Sequence, residues 1–164
     1  MPARPRNDPR MRAFQDSIPH NHCWGCGTLN PHGLRIKSYW EGEDAVCRLQ
    51  PPPQFMAGPT DVLYGGFIAA VFDCHCICTA IAHAYRAADR ELGSDPLLWS
   101  VTASLQVDYL APTPIGSPIE LRARLRAASG RKRTIACSLW SEGQARARAE
   151  VLAIEVPGAK WLGG

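Results

Sequence analysis

The sequence predicts an α+β fold in which one long buried helix is wrapped by a curved antiparallel sheet of about six strands. Three observations carry that prediction. From Gly66 through Ala70, Val71, Phe72, Ile77 and Ile81 the chain is apolar on almost every side, and charge returns only at Arg86, Asp89 and Arg90. A helix apolar all round is covered by other elements rather than lying on them. Beyond Ser100 the hydrophobic period changes to two and stays there, the pattern of antiparallel strands with one dry face. Nothing else in the chain can cover the helix, so the sheet must wrap it.

The elements follow in chain order. Met1 to about Pro19 is rich in Pro and Arg with few apolar residues, a composition that buries little and drapes over the surface. The segment His22-Cys23-Trp24-Gly25-Cys26-Gly27-Thr28-Leu29-Asn30-Pro31-His32-Gly33-Leu34 reads as a glycine-shaped turn leading into the first strand. Leu34 to Trp40 and Ala45 to Gln50 are predicted strands joined by a hairpin at Glu41-Gly42-Glu43-Asp44. Pro51-Pro52-Pro53 stops the sheet, because proline cannot donate to a ladder. The helix pattern then runs from Gly65 to about Leu92, where Gly93-Ser94-Asp95-Pro96 ends it. In Ser100 to Tyr109 the odd positions are apolar and the even ones polar. Leu121 to Ala127, Thr134 to Trp140 and Ala145 to Val151 alternate in the same way, and the arginines on these strands form a solvated face. The organisation is an extension over 1–20, one domain over 21–158 and a tail over 159–164.

Composition narrows the function classes. At 164 residues and 46% hydrophobic, the chain holds enough material for a real core. A net charge of +3 is too mild to argue for nucleic acid. The sequence shows no uninterrupted apolar run of membrane-spanning length and no signal-peptide pattern. Seven cysteines, an odd count, then read as free thiols in a reducing compartment. The expectation is a cytoplasmic protein that binds neither membrane nor nucleic acid.

Two stretches carry chemistry. Tyr64-Gly65-Gly66 stands where the helix begins, and the paired glycines let a ligand or a second chain approach the free N–H groups of the first turn. Those groups form the positive end of the helix dipole, suited to a developing negative oxygen. Asp73 lies inside the buried pattern, where an ionisable side chain is costly unless partnered or used; its alternatives are a catalytic carboxylate and a buried acid paired with an arginine or capping a neighbouring element. Cys23-x-x-Cys26 invites a zinc or redox reading, with His20, His22, His32, Cys74, His75, Cys76 and Cys78 as further donors to a metal. Structural zinc usually takes two such cysteine pairs and no second pair exists, so neither metal nor cofactor is expected.

The order of elements and four local matches resemble the hotdog-fold acyl-CoA thioesterases of the phenylacetate-pathway, PaaI-like type. Cys23-x-x-Cys26-Gly27-x-x-Asn30-Pro31-x-Gly33-Leu34 is similar to the N-terminal signature of one bacterial branch. Tyr64-Gly65-Gly66 stands where the family has His-Gly-Gly, and Asp73, nine positions on, falls where the family carries its catalytic carboxylate. Val107-Asp108-Tyr109-Leu110-Ala111-Pro112 resembles the family strand that ends in a Tyr-Leu-x-Pro turn. The resemblance covers about residues 22–156 and implies a hotdog fold, no cofactor and an acyl-CoA substrate. It further implies that Gly65 polarises the thioester carbonyl, that Asp73 activates water or attacks directly, and that Thr102 steadies the water. Tyr64 is the chief departure: a phenol donates one hydrogen bond but cannot accept a proton at neutral pH.

Asp73 lies about eight residues beyond Gly65, roughly 12 Å at 1.5 Å per residue. One helix therefore cannot bring its own N-terminal amide and its own Asp73 to one thioester. A two-fold homodimer with antiparallel helices solves this, and the resembled family often pairs dimers into tetramers. The turn Ser129-Gly130-Arg131-Lys132-Arg133 is the densest basic cluster of the domain, and Arg131, Lys132 and Arg133 are the candidates to meet CoA phosphates. The alternative to a thioesterase is a non-catalytic hotdog module that binds an acyl thioester or a small apolar ligand, with Tyr64 marking lost chemistry. A hotdog hydratase would want a histidine paired with an acid, and His75 and His83 show no such pattern.

Overall fold

Residues 12–162 are described in a computed structural model of the chain. A six-stranded antiparallel sheet curls around one long helix, the hotdog arrangement. The strands are β1 (Ser38–Glu41), β2 (Asp44–Leu49), β3 (Leu98–Tyr109), β4 (Ile119–Ser129), β5 (Lys132–Ser141) and β6 (Gln144–Pro157). Their spatial order is β1-β2-β4-β5-β6-β3, so β1 and β3 form the two edges. Helix α1 (Gly65–Ala87) fills the concave face. Its Phe67, Phe72, Cys76 and Ile81 join Ala45, Leu121, Ile135, Leu139, Ala147 and Val151 in one core. Each large apolar side chain buried this way stabilises the fold by about 1.5–3 kcal/mol.

Helix α1 is long and apolar enough to cross a membrane by length and composition, which the sequence reading missed because Asp73 and His75 interrupt the run. Here 67% of its apolar window is buried inside the protein, as befits a core helix. It ends five residues before the predicted stop. Asp89 takes the left-handed conformation at φ 50°, Arg90 N–H donates to Tyr85 O at 3.0 Å, and Asp89 N–H donates to Arg86 O at 3.1 Å. That is a Schellman cap with an aspartate in the place usually held by glycine.

Three other boundaries differ. The first predicted strand loses residues 34–37, because Arg35 sits at φ 50° and this stretch is tied instead to the cysteine loop, Leu34 N–H donating to Trp24 O and Ile36 N–H to Gly25 O. The 1–20 extension begins outside the described residues over 1–11, but residues 13–18 are docked rather than draped. Ala13, Phe14 and Ile18 are buried, and Phe14 packs on Trp40 with ring centroids 4.9 Å apart. At the other end a short helix, α2 (Gly158–Leu162), replaces the start of the expected tail; residues 163–164 lie outside the described range.

Strand β3 departs from strict alternation. Its register on β6 shifts between Thr102 and Ser104, so Ala103 is the extra residue of a β-bulge. Before the bulge Ser100 and Thr102 face the helix side; after it Leu105 and Val107 pack on the core. Bulges re-aim side chains in this way.

Candidate active site

The site is built from the first two turns of α1 and the edge strand β3. Tyr64 is the N-cap residue of α1, in extended backbone and with no side-chain cap. Phe67 N–H already donates to Tyr64 O at 3.0 Å, and it is the Gly65 and Gly66 amides that have no intrahelical acceptor, the condition of any helix start. The Tyr64 ring folds over Gly66, where an added Cβ would meet it at 2.4 Å, so the second glycine is what lets this ring lie on the helix. Tyr64 is exposed, and Tyr109 at the end of β3 donates its hydroxyl to Gly65 O at 2.7 Å. This bond fixes the helix start against the sheet edge.

Asp73 is partly exposed two turns further along. Its Oδ1 accepts a hydrogen bond from Thr102 Oγ1, a partner that the Ala103 bulge turns inward. The partner is a hydroxyl and not a guanidinium, which removes the arginine-paired alternative for this acid. Gly65, Gly66, Ala69, Ala70 and Asp73 share one incompletely covered face of α1, as spacings of three to four residues require. The structure thus places Tyr64, Gly65 and Gly66 at one end of a face, and Asp73 with Thr102 roughly 12 Å along it.

The basic turn is only partly available. Arg131 and Lys132 are exposed, but Arg133 pairs with Glu155 at 2.7 Å with its side chain 11% exposed, which corrects its assignment as a phosphate ligand. The turn lies level with the inner end of β3, since Lys132 pairs with Ile154 and Ile154 with Val101. Two strand spacings put it about 10 Å from Thr102.

The histidines serve the core. His75 is fully buried, with Nδ1 at 2.8 Å from Ser38 Oγ and Nε2 at 3.1 Å from Ala45 O. Gln15 completes this network through both atoms of its amide, contacting Ser38 Oγ and Ser38 N–H at 2.9 Å. Burial lowers the pKa of His75 to about 4, so the ring is neutral. His83 stacks edge-on to Trp40. Neither ring forms a reaction centre with an acid, and the hydratase reading falls.

The structure gathers three of the cysteines that the sequence offers as donors. Cys23, Cys26 and Cys74 bring their sulfurs within 4.8 Å of one another. Hydrogen bonds from the thiols of Cys23, Cys74 and Cys78 hold the Cys26 thiol well below its ordinary pKa. The Cys74 thiol is pushed up correspondingly, first through its bond to Cys23. The signal was the i, i+4 spacing of Cys74 and Cys78, which places both on one helix face.

A surface depression of about 1530 Å³ lies elsewhere, on the outer face of the sheet. Its arginines are largely committed to carboxylates: Arg48 to Glu41 and Glu120, Arg122 to Glu120, Arg124 to Asp44 and Arg148 to Asp108. This is the solvated face that the alternation predicts, and it carries none of the residues around Asp73.

Comparison with known proteins places this geometry. The family model of the acyl-CoA thioesterase N-terminal domain matches residues 79–154. Among solved structures, a thioesterase superfamily protein from Shewanella loihica is 34% identical, over 78% of this chain and 96% of its own, with a TM-score of 0.62. The Escherichia coli PaaI protein of the phenylacetic acid degradation operon shares the fold at 14% identity and a TM-score of 0.60, over 75% of this chain and 80% of its own. A Bacillus halodurans protein solved with CoA shares it at 15% identity and a TM-score of 0.55, over 68% of this chain and 66% of its own. No protein of curated function matches the chain. Identical at a third of the aligned positions to a relative matched over nearly its whole length, and folded as that relative is, this chain belongs to the thioesterase superfamily.

Proposed function

We propose that the protein hydrolyses an acyl-CoA thioester to a free acid and CoA in a site shared between two subunits. The observation that carries this reading is the Asp73–Thr102 pair, set on the same open helix face as the amides of the first turn. Asp73 is the general base. It takes a proton from a water that the remaining lone pairs of Thr102 Oγ1 help to orient, and that water attacks the thioester carbon. The carbonyl oxygen becomes an oxyanion, held by the Gly65 amide and the positive end of the helix. Collapse breaks the carbon–sulfur bond, and the proton held by Asp73 passes to the departing CoA sulfur. Tyr64 has no role as a base; its phenol is placed to donate a hydrogen bond beside the same amide.

Because the two halves lie roughly 12 Å apart along one helix, Gly65 of one subunit works with Asp73 of its partner. The small side chains at Gly66, Ala69 and Ala70 let a second α1 approach closely, and the long edge strand β3 offers the pairing surface. Arg131 and Lys132 supply the charge for the CoA phosphates. The resemblance to the PaaI-like branch supports an acyl-CoA substrate.

The replacement of the family histidine by Tyr64 favours a second reading, a module that binds an acyl thioester without cleaving it. Release of free thiol from a panel of acyl-CoAs separates the two. Hydrolysis by the wild type that falls about 100-fold or more in Asp73→Asn supports catalysis by this acid. Turnover that is unchanged in the variant removes Asp73 from its role, and binding without turnover in either protein establishes the module.

A further inference from the structure

We propose that Cys23, Cys26, Cys74 and Cys78 hold a structural zinc ion that clips the loop over residues 21–37 to helix α1. The sulfurs of Cys23, Cys26 and Cys74 lie within 4.8 Å of one another, and those of Cys23 and Cys74 are 3.6 Å apart. Tetrahedral zinc at about 2.3 Å from each thiolate sets neighbouring sulfurs about 3.8 Å apart. We assign the fourth ligand to Cys78, which lies one helical turn beyond Cys74 on the same face and is fully buried beside Cys26, its sulfur outside the 4.8 Å group that the other three form. Two ligands thus come from a tight Cys-x-x-Cys turn and two from a single helix face, and the sphere closes when the Cys78 sulfur moves in on metal binding.

The loop is shaped around those sulfurs. Gly27 N–H donates to Cys23 O at 2.8 Å, and Cys23 N–H donates to the Asn21 side-chain oxygen at 3.0 Å. Buried Asn21 turns its Nδ2 toward Cys26 Sγ at 3.5 Å, an N–H···S contact of the kind that orients and supports a metal-bound thiolate. A Cβ on Gly25 would lie 2.3 Å from Cys74 Sγ, and one on Gly27 would meet backbone atoms of Asn21 and Cys23 at 2.4–2.6 Å. Both positions therefore need glycine for the turn to seat on the helix. A disulfide does not account for the arrangement, because one bond between Cys23 and Cys74 leaves two further sulfurs facing it. Four soft thiolates in a closed tetrahedral set select zinc or iron, and zinc adds the cross-link without redox chemistry. Binding converts four thiols to thiolates and releases their protons to solvent. Since Cys74 directly follows Asp73, the ion would hold the helical turn that carries the catalytic acid.

The test is metal analysis of the full chain, expressed in zinc-replete medium and purified with a reductant and no chelator. Elemental analysis should give about one zinc per chain, and exchange with cobalt(II) should give thiolate-to-metal charge transfer and the intense visible bands of a tetrahedral thiolate site. Cys23→Ser and Cys74→Ser should lose both signals, while Cys137→Ala, outside the cluster, should keep them. Because position 23 is in an exposed loop, Cys23→Ser tests the site in a folded protein, as circular dichroism would verify. Wild type that is folded and free of zinc, zinc retained in Cys23→Ser, iron in place of zinc, or a Cys23–Cys74 disulfide in protein alkylated at lysis would each overturn the proposal.

Discussion

Acidification should destabilise this fold through one buried ring. His75 is held neutral among Gln15, Ser38, Ala45 and Thr79, and burial lowers its pKa from 6.5 to about 4, the bond to Ala45 O pulling weakly the other way. Between those values the unfolded chain carries a proton on this ring and the folded protein does not. Stability linked to His75 is therefore complete above about pH 6.5, falls as the pH drops, and is fully lost below about pH 4. The fall from 6.5 to about 4, at about 1.4 kcal/mol for each tenfold change in proton affinity, is worth about 3 kcal/mol. That is a large share of the roughly 5–15 kcal/mol expected of a domain. The assay is urea denaturation of wild type and His75→Gln at pH 7.0 and 4.5. The glutamine should lower stability at pH 7.0 yet flatten the difference between the two pH values by about 2–3 kcal/mol. An equal pH dependence in both proteins would show that the ring does not stay neutral in the fold, and the reasoning would fail.

Three further outcomes are expected. Thr102→Val removes the hydroxyl that bonds Asp73 and should lower kcat at least tenfold with little change in KM, whereas Thr102→Ser should restore most of the rate. Arg131→Ala with Lys132→Ala should raise KM for acyl-CoA but leave a short N-acetylcysteamine thioester unaffected, while Arg133→Ala should lower the melting temperature by unpairing Glu155. Gly25→Ala forces a Cβ to within 2.3 Å of Cys74 Sγ and should cost about 1–3 kcal/mol in denaturation. Gly116→Ala, where nothing lies within 4 Å, is the neutral control.

The parts of the fold visible in the sequence are those governed by a repeating pattern. The all-apolar stretch from Gly65 and the two-residue period after Ser100 identify the helix and four strands, because burial imposes those periods on every residue of an element. What the sequence hid depends on single residues or on distant ones. Asp89 in a left-handed cap gives no glycine to mark the helix end. Phe14 and Ile18 are too few to show a pattern, yet both join the core, Phe14 against Trp40. The Ala103 bulge reverses the facing of half a strand, and strict alternation would have turned Thr102 to solvent. The cysteine cluster unites a loop and a helix far apart in sequence, so the local Cys-x-x-Cys spacing shows half of it and only the fold brings Cys74 to Cys23 and Cys26.

The dimer is the part of the reading in which fold and chemistry make the same demand. Strand β3 is 12 residues long and forms one edge of the sheet, and an uncovered edge of that length invites pairing with another chain. Tyr64, Tyr109 and Leu110, each more than half exposed, lie beside it. The open face of α1 that carries Gly65 and Asp73 borders the same edge, so a second copy seated there would cover the strand and complete two sites at once. Complementation between two damaged subunits tests this. Asp73→Asn removes the proposed base, and Gly65→Pro removes one amide while keeping a residue suited to the first helical position; Tyr64 already has the extended conformation, at φ −62° and ψ 129°, that precedes proline. Each variant should be inactive alone. Unfolded together and refolded, random pairing makes about half the dimers mixed, and each mixed dimer holds one intact site and one doubly damaged site. Activity should return to about a quarter of wild type, since half the dimers then work at half strength. If both variants fold and co-assemble, as differential tagging would show, and the mixture stays inactive, then each subunit must work alone and the shared site is wrong.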